Sequence, residues 1–283
     1  MHVKMIESEN LIPISFLQSG NDLPLTDTLS FKHPTIHEIM SLDTEHNGLY
    51  SEEIYYSMIN IFLTDPYDYM VYLDDHGFDY ESTTPFKLFL LLYQDRMKTY
   101  SEYLNNNPDT DINEIIKNDI YFRAFKFFID VDDFLVVNID DKSVVCTKSG
   151  EFICDEQSYD YIFSFVKLCN GIYNVDRINP ENAFAKQILI EDEREKIKKK
   201  KNKNLDSDDN KKSNRIGNML SSITWCCNGG ITPFNRNRLH IYDLIDGVNK
   251  YNKLLNYNNT MHGLYSGTVD KKSINFNSIH WSL

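Results

Sequence analysis

The sequence predicts an α+β protein that is mainly α-helical: a helical N-terminal domain with a small antiparallel β-meander, a charged linker, and a small helical C-terminal module. Three observations carry this. Capping signals precede apolar residues at helical spacing over much of the chain. Short β-branched runs separated by turn residues gather between about 132 and 155. A lysine-rich, polar stretch of low complexity divides two apolar regions.

Residues 1–32 carry scattered Pro and Gly with short extended pieces, Leu11 to Leu17 and Thr28 to Phe31, and read as an arm or hairpin. Punctuation then turns helical. Thr35 followed by Glu38 is a capping box, and Asp65-Pro66 and Thr84-Pro85 each place a capping residue before a proline at the first helical position. From Ser51, Ile54, Met58, Ile61 and Phe62 share a helical face; from Pro66, so do Met70 and Leu73, with Gly77 as the stop. Pro85 to Leu104 opens apolar nearly all round, which in a water-soluble fold means a central helix packed on several sides.

A further helix is predicted from about Asp111 to Phe128. The strands follow as Phe134 to Ile139, Ser143 to Thr147 and Glu151 to Cys154, joined through Asp140-Asp141-Lys142 and Lys148-Ser149-Gly150. Their apolar face needs a cover, and the helix from about Glu156 to Cys169 is the expected lid. Asn179-Pro180 should open a helix that runs into Glu191 to Lys203, where its apolar residues fade. Asn204 to Asn214 reads as a disordered linker. The domains are therefore set at 1–192, 193–214 and 215–283, the last with two amphipathic helices, Arg215 to Cys227 and Arg238 to Leu255, and an extended tail from Thr260. Two short helices make a thin core, so this module should lean on the first domain or on a partner.

Charge is uneven. Residues 1–192 hold 34 acids against 13 Lys/Arg, and residues 193–283 hold 8 against 16. A body of net −21 repels nucleic acid and anionic membrane, while the basic part suits an acidic surface. Five cysteines without a disulfide-like framework suggest a reducing compartment, and no apolar run approaches the roughly 20 residues of a membrane span. A cytoplasmic protein is expected.

No Walker loop, dinucleotide-binding glycine turn, Gly-x-Ser-x-Gly elbow or paired Cys-x-x-Cys occurs. His33, His37 and Glu38 could offer a metal two imidazoles, but Pro34 places His33 before the helix, which favours surface or capping roles. Asp130, Asp132, Asp133, Asp140, Asp141 and Lys142 surround the first hairpin and have the composition of a metal-dependent nuclease, although aspartates also form turns. Lys198 to Lys203 lacks interleaved aromatics and reads as a solvated helix end; Cys226-Cys227 reads as buried small apolar residues. No catalytic, cofactor-binding or metal-binding residue is assigned. What remains is a binder, with Tyr242, Ile245, Val248, Tyr251, Leu254, Tyr265 and Trp281 as its contact surface.

Two groups of segments carry a resemblance. One is His33 to Met40 with Leu63 to Asp74 and Gly77 to Tyr80; the other is Leu239 to Asp246 through Tyr257, then Gly263 to Asp270 and Ile279 to Trp281. Together they resemble a family encoded in the tail-assembly region of tailed phages of Gram-positive bacteria, near the tape-measure protein. The resemblance implies a tail assembly chaperone in the host cytoplasm whose partners are tape-measure and tail-tube proteins, with a structural virion component as the alternative. A metal-dependent nuclease is the distant third reading.

Overall fold

Local capping chemistry sets most of the element boundaries, as the computed structural model shows for residues 11–108, 111, 115, 118–139, 142–172, 179–206, 214–226 and 230–276. Residues 1–10 of the expected arm lie outside these described residues. The rest of the arm departs from expectation. Within the supposedly extended Leu11 to Leu17, Pro13 sits at φ −64° before a short helix α1 (Ile14–Gln18) that buries Leu17. Proline's fixed φ suits the residue ahead of a first turn, and burial of Ile12 and Leu17 decides the conformation. A hairpin follows, β1 (Leu23–Pro24) pairing antiparallel with β2 (Ser30–Phe31).

Helix α2 (Ile36–Met40) opens on the predicted capping box: Glu38 N–H donates to Thr35 Oγ1 at 3.3 Å and Thr35 N–H to Glu38 Oε2 at 2.9 Å. Helix α3 (Ser51–Asn60) buries Tyr55, Met58 and Ile59. The expected helix start at Pro66 is corrected. Asp65 Oδ1 accepts from Tyr67 N–H at 3.1 Å, and Asp68 and Tyr69 bond three residues back, so residues 65–69 form turns. Helix α4 (Met70–Asp75) starts only afterwards.

Gly77 stops α4 as predicted, at φ +76°, with Phe78 N–H reaching Leu73 O at 2.8 Å in a Schellman closure. No atom lies within 4 Å of where a Gly77 Cβ would stand, so Gly77→Ala tests backbone strain alone. It is expected to cost about 1 kcal/mol in urea denaturation; an unchanged midpoint would contradict the left-handed stop.

Helix α5 (Pro85–Asn106) has Thr84 as its cap and proline in the first turn, and buries Phe86, Leu88, Phe89 and Tyr93. Residues 112–114 and 116–117 of the next predicted helix lie outside the described residues. Its continuation is α6 (Ile120–Ile129), capped by Asp119. That buried carboxylate accepts from Tyr121 N–H at 2.8 Å, from Arg96 Nε at 3.0 Å and from the Tyr100 hydroxyl.

The meander forms as read: β3 (Phe134–Ile139), β4 (Lys142–Thr147) and β5 (Phe152–Cys154), antiparallel in that order, with a register shift at Val145/Cys146. Helix α7 (Glu156–Cys169) is more than a lid. It buries Tyr159, Ile162, Phe165 and Val166 in the middle of the core. Cover for the sheet is shared, since Phe134 stacks on Phe125 of α6 at 3.9 Å and lies 5.0 Å from Tyr93 of α5.

Helix α8 (Ala183–Asp206) begins later than Asn179-Pro180 suggests, because Asn182 supplies the cap, accepting from Ala185 N–H at 2.9 Å. It also outlasts the expected linker start: Asn204 to Asp206 are helical. Upstream, Glu193–Lys196 and Glu195–Lys199 pairs, each 3.0 Å, support the helix. Residues 207–213 of the linker lie outside the described residues. Ile190 packs with Leu73, Tyr80 and Leu88, while Arg194 meets Asp74 and Asp75, each at 2.9 Å.

Helix α9 (Arg215–Cys226) matches its prediction closely, but α10 (Ile241–Tyr265) runs ten residues past the expected end. Gly263 is no breaker. Its carbonyl accepts from Thr268 and Val269 N–H, and Gly267, at φ +76°, makes the turn instead. Residues 260–265 of the expected tail are therefore helical, and residues 277–283 lie outside the described residues. Ile216, Leu220, Ile223, Ile241, Leu244 and Ile245 join the same apolar cluster as α3, α5, α6 and α7. The C-terminal helices thus lean on the body. The chain is a mainly helical α+β protein.

Candidate functional site

The first N–H groups of any helix lack intrahelical acceptors. In α2 and α10 these needs are met reciprocally. Ile36 N–H donates to Leu239 O at 2.8 Å, and Ile241 N–H to Pro34 O at 3.1 Å, making an antiparallel bridge between Thr35 and His240. Those residues are the N-caps of the two helices. Segments some 200 positions apart are thereby joined into one seam.

Histidines line it. His240 Nδ1 lies 2.8 Å from His33 O, and the two rings are 4.6 Å apart. His33 is 1% exposed, rests edge-on against Phe165 at 5.4 Å, and has no hydrogen-bond partner at either ring nitrogen among the described residues. Burial, then the neighbouring His240, pushes its pKa down to about 4. Gly20, at φ +68°, admits this arrangement: a Cβ there would stand 2.7 Å from His240 Nε2.

A second anchor fastens α9. Glu52 of α3, buried, accepts from Arg215 N–H at 2.6 Å and Ile216 N–H at 3.0 Å, so a carboxylate from a distant helix caps this one.

Beyond these anchors the two helices form an arm. From Ile245 to Tyr265, α10 extends for about 30 Å at 1.5 Å per residue. No acid occurs between Asp246 and Asp270. Met219, Ile223 and Cys226 of α9 face Val248 and Tyr251 of α10 across a shallow groove of about 260 Å³. Trp225 is 72% exposed and Phe234 95% exposed. Phe234 also borders a depression of about 350 Å³ with Thr35, His37, Asn237 and Arg238, on the seam's outer side.

The predicted contact residues are divided by this geometry. Tyr242 and Ile245 turn inward and are buried in the chain's own core, because the first turns of α10 are the ones seated on the body. Val248 and Tyr251 line the groove, Leu254 is half-buried, and Tyr265 is 81% exposed. Trp281 lies outside the described residues. Ile216, Leu220 and Ile223 define the buried side of α9, and helical phase puts Trp225 opposite. That signal was available. Nothing in the sequence marks Glu52 as a cap for α9.

The other candidate constellations do not converge. His37 is exposed while His33 is buried, and Glu38 is engaged in its cap. Asp130 and Asp132 pair with Lys126 and Asp133 with Lys148, at 2.8–3.0 Å on the surface; Asp140 and Asp141 lie outside the described residues. No cluster of three metal-ligating side chains occurs among the described residues. Lys198 and Lys200 are exposed and Lys199 pairs with Glu195. Cys226 is exposed, contrary to the buried reading, because the α9 register that buries Ile223 turns it outward; Cys227 lies outside the described residues. Among the described residues no helix is long and apolar enough to cross a membrane.

A family model described as YomV second domain matches residues 200–282, a span that contains the whole arm, and indicates a phage-associated domain family. No curated protein and no solved structure matches the chain.

Proposed function

We propose that this chain is a non-enzymatic protein-binding protein of phage assembly: a tail assembly chaperone that holds tape-measure and tail-tube proteins in the host cytoplasm. The observation that carries the binding role is the groove between α9 and α10, lined by Met219, Cys226, Val248 and Tyr251 and lying within the residues the phage-associated model matches. Aromatics in an apolar groove are how interfaces concentrate binding energy. The tail partners are supported by the resemblance of the two seam segments described above.

The test is capture of tape-measure and tube proteins by the tagged full chain from an infected host. Met219→Ala and Tyr251→Ala, both lining the groove, are together expected to lower capture about tenfold, a hot-spot effect, while the far-ultraviolet dichroism stays unchanged. Capture that ignores both substitutions would reject the groove as the binding surface. Stoichiometric recovery of the chain from purified particles would make it a structural virion component instead.

A further inference from the structure

We propose that the contact between His33 and His240 is a proton-sensitive fastener, so that acid loosens the C-terminal arm from the body before the rest of the fold gives way. Its regulatory meaning rests on the binding role proposed above; the loosening itself is measurable without any partner.

The geometry leaves no room for a charged His33. Both ring nitrogens lack acceptors among the described residues, the ring is 1% exposed, and its neighbours are the Phe165 edge and a second imidazole. An imidazolium there would carry two unmet donors beside another group able to charge.

Surrounding ionisable groups are otherwise engaged. From the loop before β1, Asp22 Oδ1 accepts the His33 backbone N–H at 2.7 Å. From α2, Glu38 is tied to Thr35 and to Lys32, the latter at 3.3 Å. From α7, Cys169 is a buried thiol, its pKa raised by burial and by Asp243. From α10, Asp243 has its carboxyl raised by burial and, more weakly, by Asp246, with His240 pulling the other way.

The sign of the response follows. With the seam open, His33 meets water and titrates near its ordinary value of about 6.5. Closed, it refuses a proton until pH falls to about 4. Above 6.5 neither state is charged and the seam is fully fastened. Between those values only the open state takes up the proton, so the opening equilibrium constant rises by up to about tenfold per pH unit. Asp243 acts in the opposite direction, since a raised carboxyl favours the closed state as it protonates.

Opening has a structural consequence. It breaks the Ile36–Leu239 and Ile241–Pro34 bonds and uncovers Tyr242 and Ile245, apolar side chains now seated in the core. A buried binding face released by a local opening is a recognised form of switch.

Hydrogen exchange on the full chain from pH 7.5 to 4.5, corrected for intrinsic rates, reads this directly. Protection of residues 244–248 is expected to fall about tenfold per unit below 6.5, with residues 124–129 of α6 changing far less. His33→Phe keeps the ring packing and removes the titration, and should flatten the response of the arm; His33→Gln serves if that variant fails to fold. A folded variant with the wild-type slope, or arm and α6 loosening in parallel, would overturn the proposal. So would an imidazole resonance of His33 that titrates at 6.5 or above in the folded wild type, whatever the variants do.

Discussion

Glu52→Ala is expected to destabilise the protein by about 3 kcal/mol and to free α9 first. Glu52 is buried, and its two oxygens take the first two N–H groups of that helix, at 2.6 and 3.0 Å. Charge-assisted bonds of this kind are stronger than neutral ones, and the Ile216 donor, left buried without a partner, costs about 1–3 kcal/mol, with the part-buried Arg215 donor adding less. The carboxylate also faces the positive end of the α9 dipole, which adds a few tenths to about 2 kcal/mol. Repair from nearby is limited: Arg215 and Tyr56 stand close, but Arg215 is a donor and Tyr56 a half-buried hydroxyl whose pKa burial raises. Glu52→Gln keeps one acceptor and should lose about half as much. Urea denaturation gives the total, and limited proteolysis between α8 and α9 shows where the damage begins. A midpoint within experimental error of wild type, or nicking no faster than in the parent, would show that the trans-cap is dispensable.

Much of the capping grammar of this chain was legible where it is local. Thr35 with Glu38, Thr84 with Pro85 and the Lys148-Ser149-Gly150 turn of the meander act within four positions, and all three formed as read. Pro66 failed for an equally local reason: Asp65 can cap a helix or close a turn, and the three-residue spacing of the following bonds shows that the turn prevailed. Extending α10 past Gly263 was illegible because the true stop, Gly267, uses a fold-back that periodicity does not report.

Long-range features were beyond such reading altogether. An amphipathic face says that Tyr242 and Ile245 need covering but not whether the cover is the chain itself or another protein. Here it is the chain itself. His33 to Met40 and Leu239 to Asp246, one from each group of segments that carries the resemblance, meet in the fold. Their meeting gives a physical reason for their form, since each lends a carbonyl to the first turn of the other's helix. Any change that displaces Pro34 or Leu239 should therefore act on both helices at once.

The largest loss should come from the aromatic centre of the body. Phe125→Ala is expected to cost about 4 kcal/mol, within the range of about 3–5 kcal/mol for emptying a packed phenylalanine site. Phe125 is 1% exposed and meets three rings from separate segments: it stacks on Phe134 at 3.9 Å and 18°, and lies 5.5 Å from Phe62 and 6.2 Å from Phe89. Neighbours anchored in a helix, a strand and the turn after α3 cannot all move into the space, so the cavity term persists alongside the lost transfer energy. Two controls separate this from a general effect of losing an aromatic ring on α6. Phe127→Ala removes a half-buried ring whose contacts are Phe128 at 4.8 Å and Lys32 at 5.4 Å, and should cost less than about 1.5 kcal/mol. Phe125→Leu keeps most of the volume and should recover more than half of the alanine loss. The comparison is made by urea denaturation, with the slope required to stay constant so that midpoints report stability alone. If alanine at 125 costs no more than alanine at 127, the ring is not the keystone its contacts make it. The sheet would then be held chiefly by α7, as the sequence alone suggests.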